Sequence, residues 1–240
     1  KELEVYKTVK INIKETGENN VEYNLPEKKS RVFEEFYMSS IINYERSTRS
    51  EDYQTPSILY ICGGNSCTNG YFQDLVEWRH KQGYEVNVIP TSESGSSETA
   101  INNFISNAYN LWTNPPEIVG LVGDVGGSYN IACDYYEWGS GWNTYEGASD
   151  VRYTYITGND LLPEIVIGRI SADSSSDLNN IINKTIQYEK AQLQTDRGWF
   201  NRSCLIGDPT QSGLSCAITS QWVREIMNTY GHTDIAVDHN

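Results

Sequence analysis

The chain has 240 residues, a net charge of −14 and a hydrophobic fraction of 38%. With a mean hydropathy of −0.54 and a pI near 4.6, this composition suits a water-soluble globular protein with one sizeable core. The negative charge opposes non-specific binding to nucleic acid or to anionic membrane surfaces. No apolar run approaches the ~20 residues a membrane span needs.

The first segment, residues 1–53, differs from the rest. Val5, Val9, Ile11 and Ile13 share one parity, with Tyr6, Thr8, Lys10, Asn12 and Lys14 on the other, which is the pattern of a half-buried strand. Thr16 to Asn20 supplies turn residues, and Val21 to Leu25 can return as a partner strand. Phe33, Phe36, Tyr37, Ile41 and Tyr44 suggest a short helix or an apolar arm, and Arg46 to Gln54 reads as a polar linker.

From Ser57 strands and helices alternate. Ile58–Ile61 is a buried strand. Phe72, Leu75, Val76 and Arg79 keep helical spacing up to a stop at Gly83, and Glu85–Ile89 is the next strand. Ser96 or Ser97 caps a helix whose apolar face is Ile101, Phe104, Ile105, Ala108 and Trp112. Pro115 and Pro116 end it. Ile118–Val122 is almost continuously apolar, as in a sheet covered on both faces.

Val125 to Ala148, rich in Gly, Tyr and Trp, reads as a long surface excursion. Its Trp138, Trp142 and Tyr145 either stack on a ligand or pin the loop. Strands are expected at Tyr153–Ile156 and Ile165–Ile170, then a helix with Leu178, Ile181, Ile182, Thr185 and Ile186 on one face. After Trp199 comes a further βα unit: Cys204–Gly207, a helix bearing Trp222, Val223, Ile226, Met227 and Tyr230, and a final strand, Asp234–Val237. The fold class this implies is α/β, a doubly wound, mostly parallel sheet with helices on both faces. A sheet begun so close to Asn240 has few strands, and a start at Lys1 without Met points the same way, to a longer parent.

The candidate chemistry is acidic. Asp124 follows a buried strand, at the edge where such sheets place ligands. Asp160 and Glu164 lie four apart in the loop entering the next strand, and Leu162, preceding Pro163, is biased to an extended conformation that frees its carbonyl. Such hard oxygen donors suit calcium and not zinc; the alternative is a set of ordinary turn residues. Cys62 and Cys67 are close enough to pair, and the apolar strand around Cys204 suggests a small core residue. His80, His232 and His239 read as solvated or structural. Gly63-Gly64-Asn65-Ser66 lacks the lysine and the spacing of a phosphate loop.

One stretch carries a resemblance. Ser149, Asp150 and Tyr153, then Gly158-Asn159-Asp160, Glu164 with Ile167-Gly168-Arg169, and Thr185-Ile186 with Tyr188-Glu189 together resemble the gingipain-like cysteine peptidases, family C25, with a caspase-like fold. The resemblance implies a propeptide-like segment over 1–53, a first α/β subdomain over 54–198 and the start of a second, catalytic subdomain over 199–240. It implies a secreted or cell-surface endopeptidase acting on protein or peptide substrates, whose catalytic His and Cys lie beyond Asn240. A catalytically inactive surface or secretion component is the alternative. Structural calcium at Asp124, Asp160, Leu162 and Glu164 is implied as well. Asp208 then corresponds to an acid orienting the catalytic His, or else to a turn residue before Pro209. Cys216 falls where Arg-specific members carry a substrate-binding Asp, so a preference for Arg is not expected.

Overall fold

The computed structural model describes residues 29–40, 44–46, 53–140, 143–158, 161–191, 195–207 and 214–238. The hairpin expected at Val5–Leu25 lies outside them. The chain divides into two compact units, Lys1–Gln54 and Thr55–Asn240.

In the first unit, helix α1 (Arg31–Ser40) buries Glu34 and leaves Phe36 and Met38 exposed. The Tyr53 hydroxyl donates to Glu34 Oε2, and Arg46 Nε lies 3.4 Å from the same oxygen. A buried carboxylate needs such partners. A parallel bridge between Lys29 and Tyr53 is clasped by the Gln54 amide on the Lys29 carbonyl.

The second unit is built on a four-stranded parallel sheet of β1 (Ser57–Cys62), β2 (Glu85–Pro90), β3 (Ile118–Val122) and β6 (Val166–Ile170), in the order β2-β1-β3-β6. Every residue of β1 is buried, which is why its sequence shows no polar alternation. Its side chains divide between two cores. Ile58, Tyr60 and Cys62 pack with Phe72, Leu75 and Val76 of α2 (Gly70–Lys81) and with Leu178 and Ile182 of α5 (Ser175–Glu189). Leu59 and Ile61 pack on the other face with Ile101, Ile105 and Ala108 of α4 (Glu98–Leu111), which follows a single helical turn, α3 (Thr91–Ser94). Helices therefore cover both faces. A wholly buried Phe72 or Ile105 contributes roughly 1.5–3 kcal/mol.

Local signals set the boundaries. Asn69 caps α2, accepting from the Tyr71 and Phe72 amides at 3.0 and 3.2 Å, and Ser97 caps α4 through the Ala100 amide at 3.2 Å. Gly83, at a φ of 93°, turns the chain out of α2 into β2. On the outer surface, Arg79 clamps Glu189, with Nη2 2.7 Å from Oε1, and Trp78 Nε1 donates to Oε2 at 2.7 Å, joining α2 to α5.

Three expectations need correction. The excursion after β3 contains an antiparallel hairpin, β4 (Asp134–Ser140) and β5 (Asn143–Ser149), and buries Tyr129, Ile131 and Cys133. Tyr153–Ile156 is not a strand: Val151–Thr154 is a 3-10 turn that buries Tyr153 so that its hydroxyl reaches the Ala132 carbonyl at 2.8 Å. Cys204 is exposed. It lies on β7 (Arg202–Ile206), which pairs in parallel only with β8 (Asp234–Asp238) among the described residues, with α6 (Ser215–Thr229) between them in sequence. Strand periodicity puts Cys204 with Ile206 on the open face, while Ser203 and Leu205 share the half-covered one.

Candidate functional site

The strand order reverses between β1 and β3, and in open α/β sheets ligands enter beside that switch, at the carboxyl edge. Here the chain fills the crevice itself. A Cβ added at Gly63 or Gly123 would collide with the Tyr129 carbonyl, and one at Gly64 with the Ser128 carbonyl. These glycines admit the backbone of residues 128–130; a phosphate has no room there. Glycine is doubly required at position 64, where φ is 54°.

Arg169, at the carboxyl end of β6, holds this plug. Its Nη1 donates to the Gly123 and Ile131 carbonyls at 3.1 and 3.0 Å, and its Nη2 donates to the Ala132 carbonyl at 3.1 Å. Nε and Nη2 also grip Asp150 at 2.8 and 2.7 Å. The guanidinium is pulled down by burial and raised by Asp150, with a net rise. In the sequence Asp150 and Arg169 stand out as members of the motifs that carry the resemblance and as a charged residue in an otherwise apolar strand, and neither signal assigns them this role.

Asp124 stands at the same edge. Its Oδ1 accepts from the Val125 amide at 2.8 Å and from the Ser171 hydroxyl at 2.9 Å, and these bonds hold its carboxyl below the usual range. Glu164 lies elsewhere. Its Oε2 takes the Ile156 amide at 2.7 Å and the Thr157 amide at 3.3 Å, while Oε1 takes the Thr157 hydroxyl at 2.9 Å. The Tyr155–Gly158 loop so anchored lines a polar recess of about 420 Å³ beside Glu98, Asn102 and Asn103 of α4.

This geometry corrects the idea of one calcium site. Asp124 leaves β3 and Glu164 enters the parallel β6, so they stand at opposite edges of the sheet. Five paired residues at ~3.3 Å each separate them by on the order of 15 Å or more. Two oxygens on one calcium lie within about 5 Å of each other. The donor set does not fit a shared ion. Leu162 is exposed and belongs to the Glu164 loop; Asp160 lies outside the described residues.

Among the remaining candidates, Cys216 is half-buried in the first turn of α6, and its carbonyl packs so closely on Gly207 that a Cβ there would crowd it at 3.1 Å. Asp208, His239 and Trp142 lie outside the described residues. His232 Nδ1 pairs with the Ser203 hydroxyl at 3.0 Å, and His80 Nδ1 lies 3.2 Å from the Tyr84 carbonyl. The described histidines thus have local partners of their own. Among the described residues no helix is long and apolar enough to cross a membrane, and no three or more His, Cys, Asp or Glu side chains gather as metal ligands.

A parallel sheet covered on both faces, with its switch crevice closed by its own chain, defines an α/β domain, and its solved neighbours, gingipain structures, place it among the caspase-like folds. The crystal structure of the Arg-specific cysteine proteinase gingipain R (RgpB) superposes with a TM-score of 0.61 at 24% identity, over 82% of this chain and 43% of that one. The complex of the Porphyromonas gingivalis RgpB pro- and mature domains gives 0.60 at 25%, over 76% and 42%. In sequence the chain is 29% identical to gingipain R1 of Porphyromonas gingivalis over 98% of its own length and 23% of that protein's. Lys-gingipain of the same species is 27% identical over 76% of this chain and 10% of the relative. The profile of peptidase family C25 matches residues 51–239, and the chain belongs to that family. It spans less than a third of the length of gingipain R1 and about two-fifths of the solved chains it superposes on.

Proposed function

We propose that the chain is part of a secreted or cell-surface cysteine endopeptidase, supplying the first α/β layer of its catalytic domain. The supporting observation is the family match over residues 51–239, joined to a fold whose own switch crevice is closed by residues 128–130. In this reading the attacking thiolate and its activating His are contributed by sequence after Asn240, the His taking the thiol proton before attack on the peptide carbonyl. Asp208 orients that His. A thiol-reactive peptidyl inhibitor should label the longer protein and leave the 240-residue chain untouched. Stoichiometric labelling of this chain would show that the nucleophile is misplaced, and an unlabelled longer protein would favour a binding component that has lost its catalytic pair.

Specificity follows from Cys216. A neutral group at the head of α6 cannot offset the desolvation of a guanidinium, and losing such a partner costs about 3–5 kcal/mol. The protein should therefore not prefer Arg at the cleaved position. Calcium, in this proposal, is confined to the loop of Asp160, Leu162 and Glu164. Glu164 Oε1 keeps lone-pair capacity beyond the Thr157 hydroxyl, and the ion would brace that loop structurally.

A further inference from the structure

Cys62 and Cys67 are absorbed by none of these roles. Cys62 ends β1 and is wholly buried. The chain leaves it through a tight turn in which the Ser66 amide donates to the Gly63 carbonyl at 3.1 Å, with Gly64 at a φ of 54°. Such a turn brings its ends within about 7 Å. Cys67 follows at once, in the 3-10 turn Ser66–Thr68, half-buried and packed against the cluster that contains Cys62. Both cysteines are free thiols.

The pair is asymmetric. Cys67 is held below the usual thiol range by the neighbouring Cys62 thiol, whereas Cys67 and burial push Cys62 up. The more accessible sulfur is also the better ionised. A partly exposed attacking thiol with a buried thiol behind it is the arrangement that thiol–disulfide exchange requires.

We propose that Cys62 and Cys67 form a dithiol–disulfide site that reacts with low-molecular-weight disulfides. Cys67 Sγ attacks one sulfur of the reagent and displaces the other as a thiolate, leaving a mixed disulfide on Cys67. Cys62 Sγ then attacks the Cys67 sulfur and releases the second thiolate. The pair gives up two electrons and two protons, and the reagent leaves as two thiols. None of this depends on peptidase activity elsewhere in the protein.

The new bond would clamp the turn at the foot of α2. Asn69, two residues on, caps α2 and donates through Nδ2 to Ser175 Oγ at 2.9 Å and Asn179 Oδ1 at 3.1 Å. Oxidation state is thereby linked to the firmness of the α2–α5 layer, because the clamped turn carries one of the contacts between them, beside the Arg79–Glu189 clamp.

The test uses the reduced 240-residue chain and oxidised glutathione. The tryptic peptide Ser50–Arg79 contains both cysteines and no internal Lys or Arg. It should become two hydrogens lighter with no glutathione retained, and the melting temperature should rise by a few degrees. Cys62→Ser, or Cys62→Ala where serine is not tolerated at this buried site, should trap glutathione on Cys67. In folded Cys67→Ser, Cys62 should stay unmodified. The proposal is overturned if the wild-type peptide keeps both thiols under conditions that oxidise the same peptide in isolation. It is equally overturned if the adduct is trapped on Cys62.

Discussion

Arg169 and Asp150 meet as a two-armed ion pair, Nε to Oδ2 at 2.8 Å and Nη2 to Oδ1 at 2.7 Å, with the side chains only 11% and 20% exposed. The remaining guanidinium protons go to three carbonyls around the segment that fills the switch crevice, Gly123 facing it and Ile131 and Ala132 following it. Arg169→Ala would leave a half-buried Asp150 and three carbonyls without this donor, at a cost of about 3–5 kcal/mol. Arg169→Lys keeps the charge but not the fork and should recover less than half of that. Thermal unfolding checks the ranking, and amide exchange at Ile131 should report the loosened plug first.

The glycines facing the plug make a second prediction. Gly63→Ala places a methyl group against the Tyr129 carbonyl, which is backbone and cannot swing aside. Overpacking of this kind costs roughly 1–3 kcal/mol. Gly70→Ala, with open space around its Cβ, serves as the control and should leave stability unchanged or slightly raised. Equal effects from the two substitutions in denaturant titrations would contradict the packing.

Much of this architecture is legible in the sequence because its signals are local. β1 and β3 announce themselves as apolar runs, and the Asn69 and Ser97 caps and Gly83 bound the helices next to them. The hairpin β4–β5 is less legible because Gly139, Gly147 and the surrounding aromatics read as loop, although Tyr135, Glu137 and Thr144 are compatible with strands. Tyr153 misleads in the other direction. Its alternating neighbours suggest a strand, yet a distant carbonyl at Ala132 decides its conformation. The separation of Asp124 from Glu164 was within reach of sequence reasoning: one leaves a strand and the other enters the next, and parallel pairing sends those ends to opposite edges.

The pair Arg79–Glu189 gives a pH dependence. The Arg79 hydrogen bonds hold the Glu189 carboxyl below its ordinary value, so its contribution is fully present above the unfolded pKa of about 4.3 and is lost as pH falls through the lower, folded value. Glu189→Gln should cost about 1.5–3 kcal/mol at neutral pH. It should also flatten the decline in stability below about pH 4. Urea midpoints across that range read both effects.

Calcium is tested by chelation. The proposed loop site requires a chelator to lower the melting temperature, and Asp160→Ala to abolish that sensitivity. Asp124→Ala should leave the sensitivity intact, since Asp124 stands at the other edge of the sheet. Identical melting with and without chelator would remove the ion from the scheme.

The most direct measurement is hydrolysis of a peptide library by the longer protein, before and after alkylation of its thiols. A cysteine endopeptidase of family C25 should cleave internal peptide bonds, lose that activity on alkylation and show no preference for Arg at the cleaved position. Cleavage that survives complete alkylation, or a folded longer protein that cleaves nothing, would contradict the proposed function.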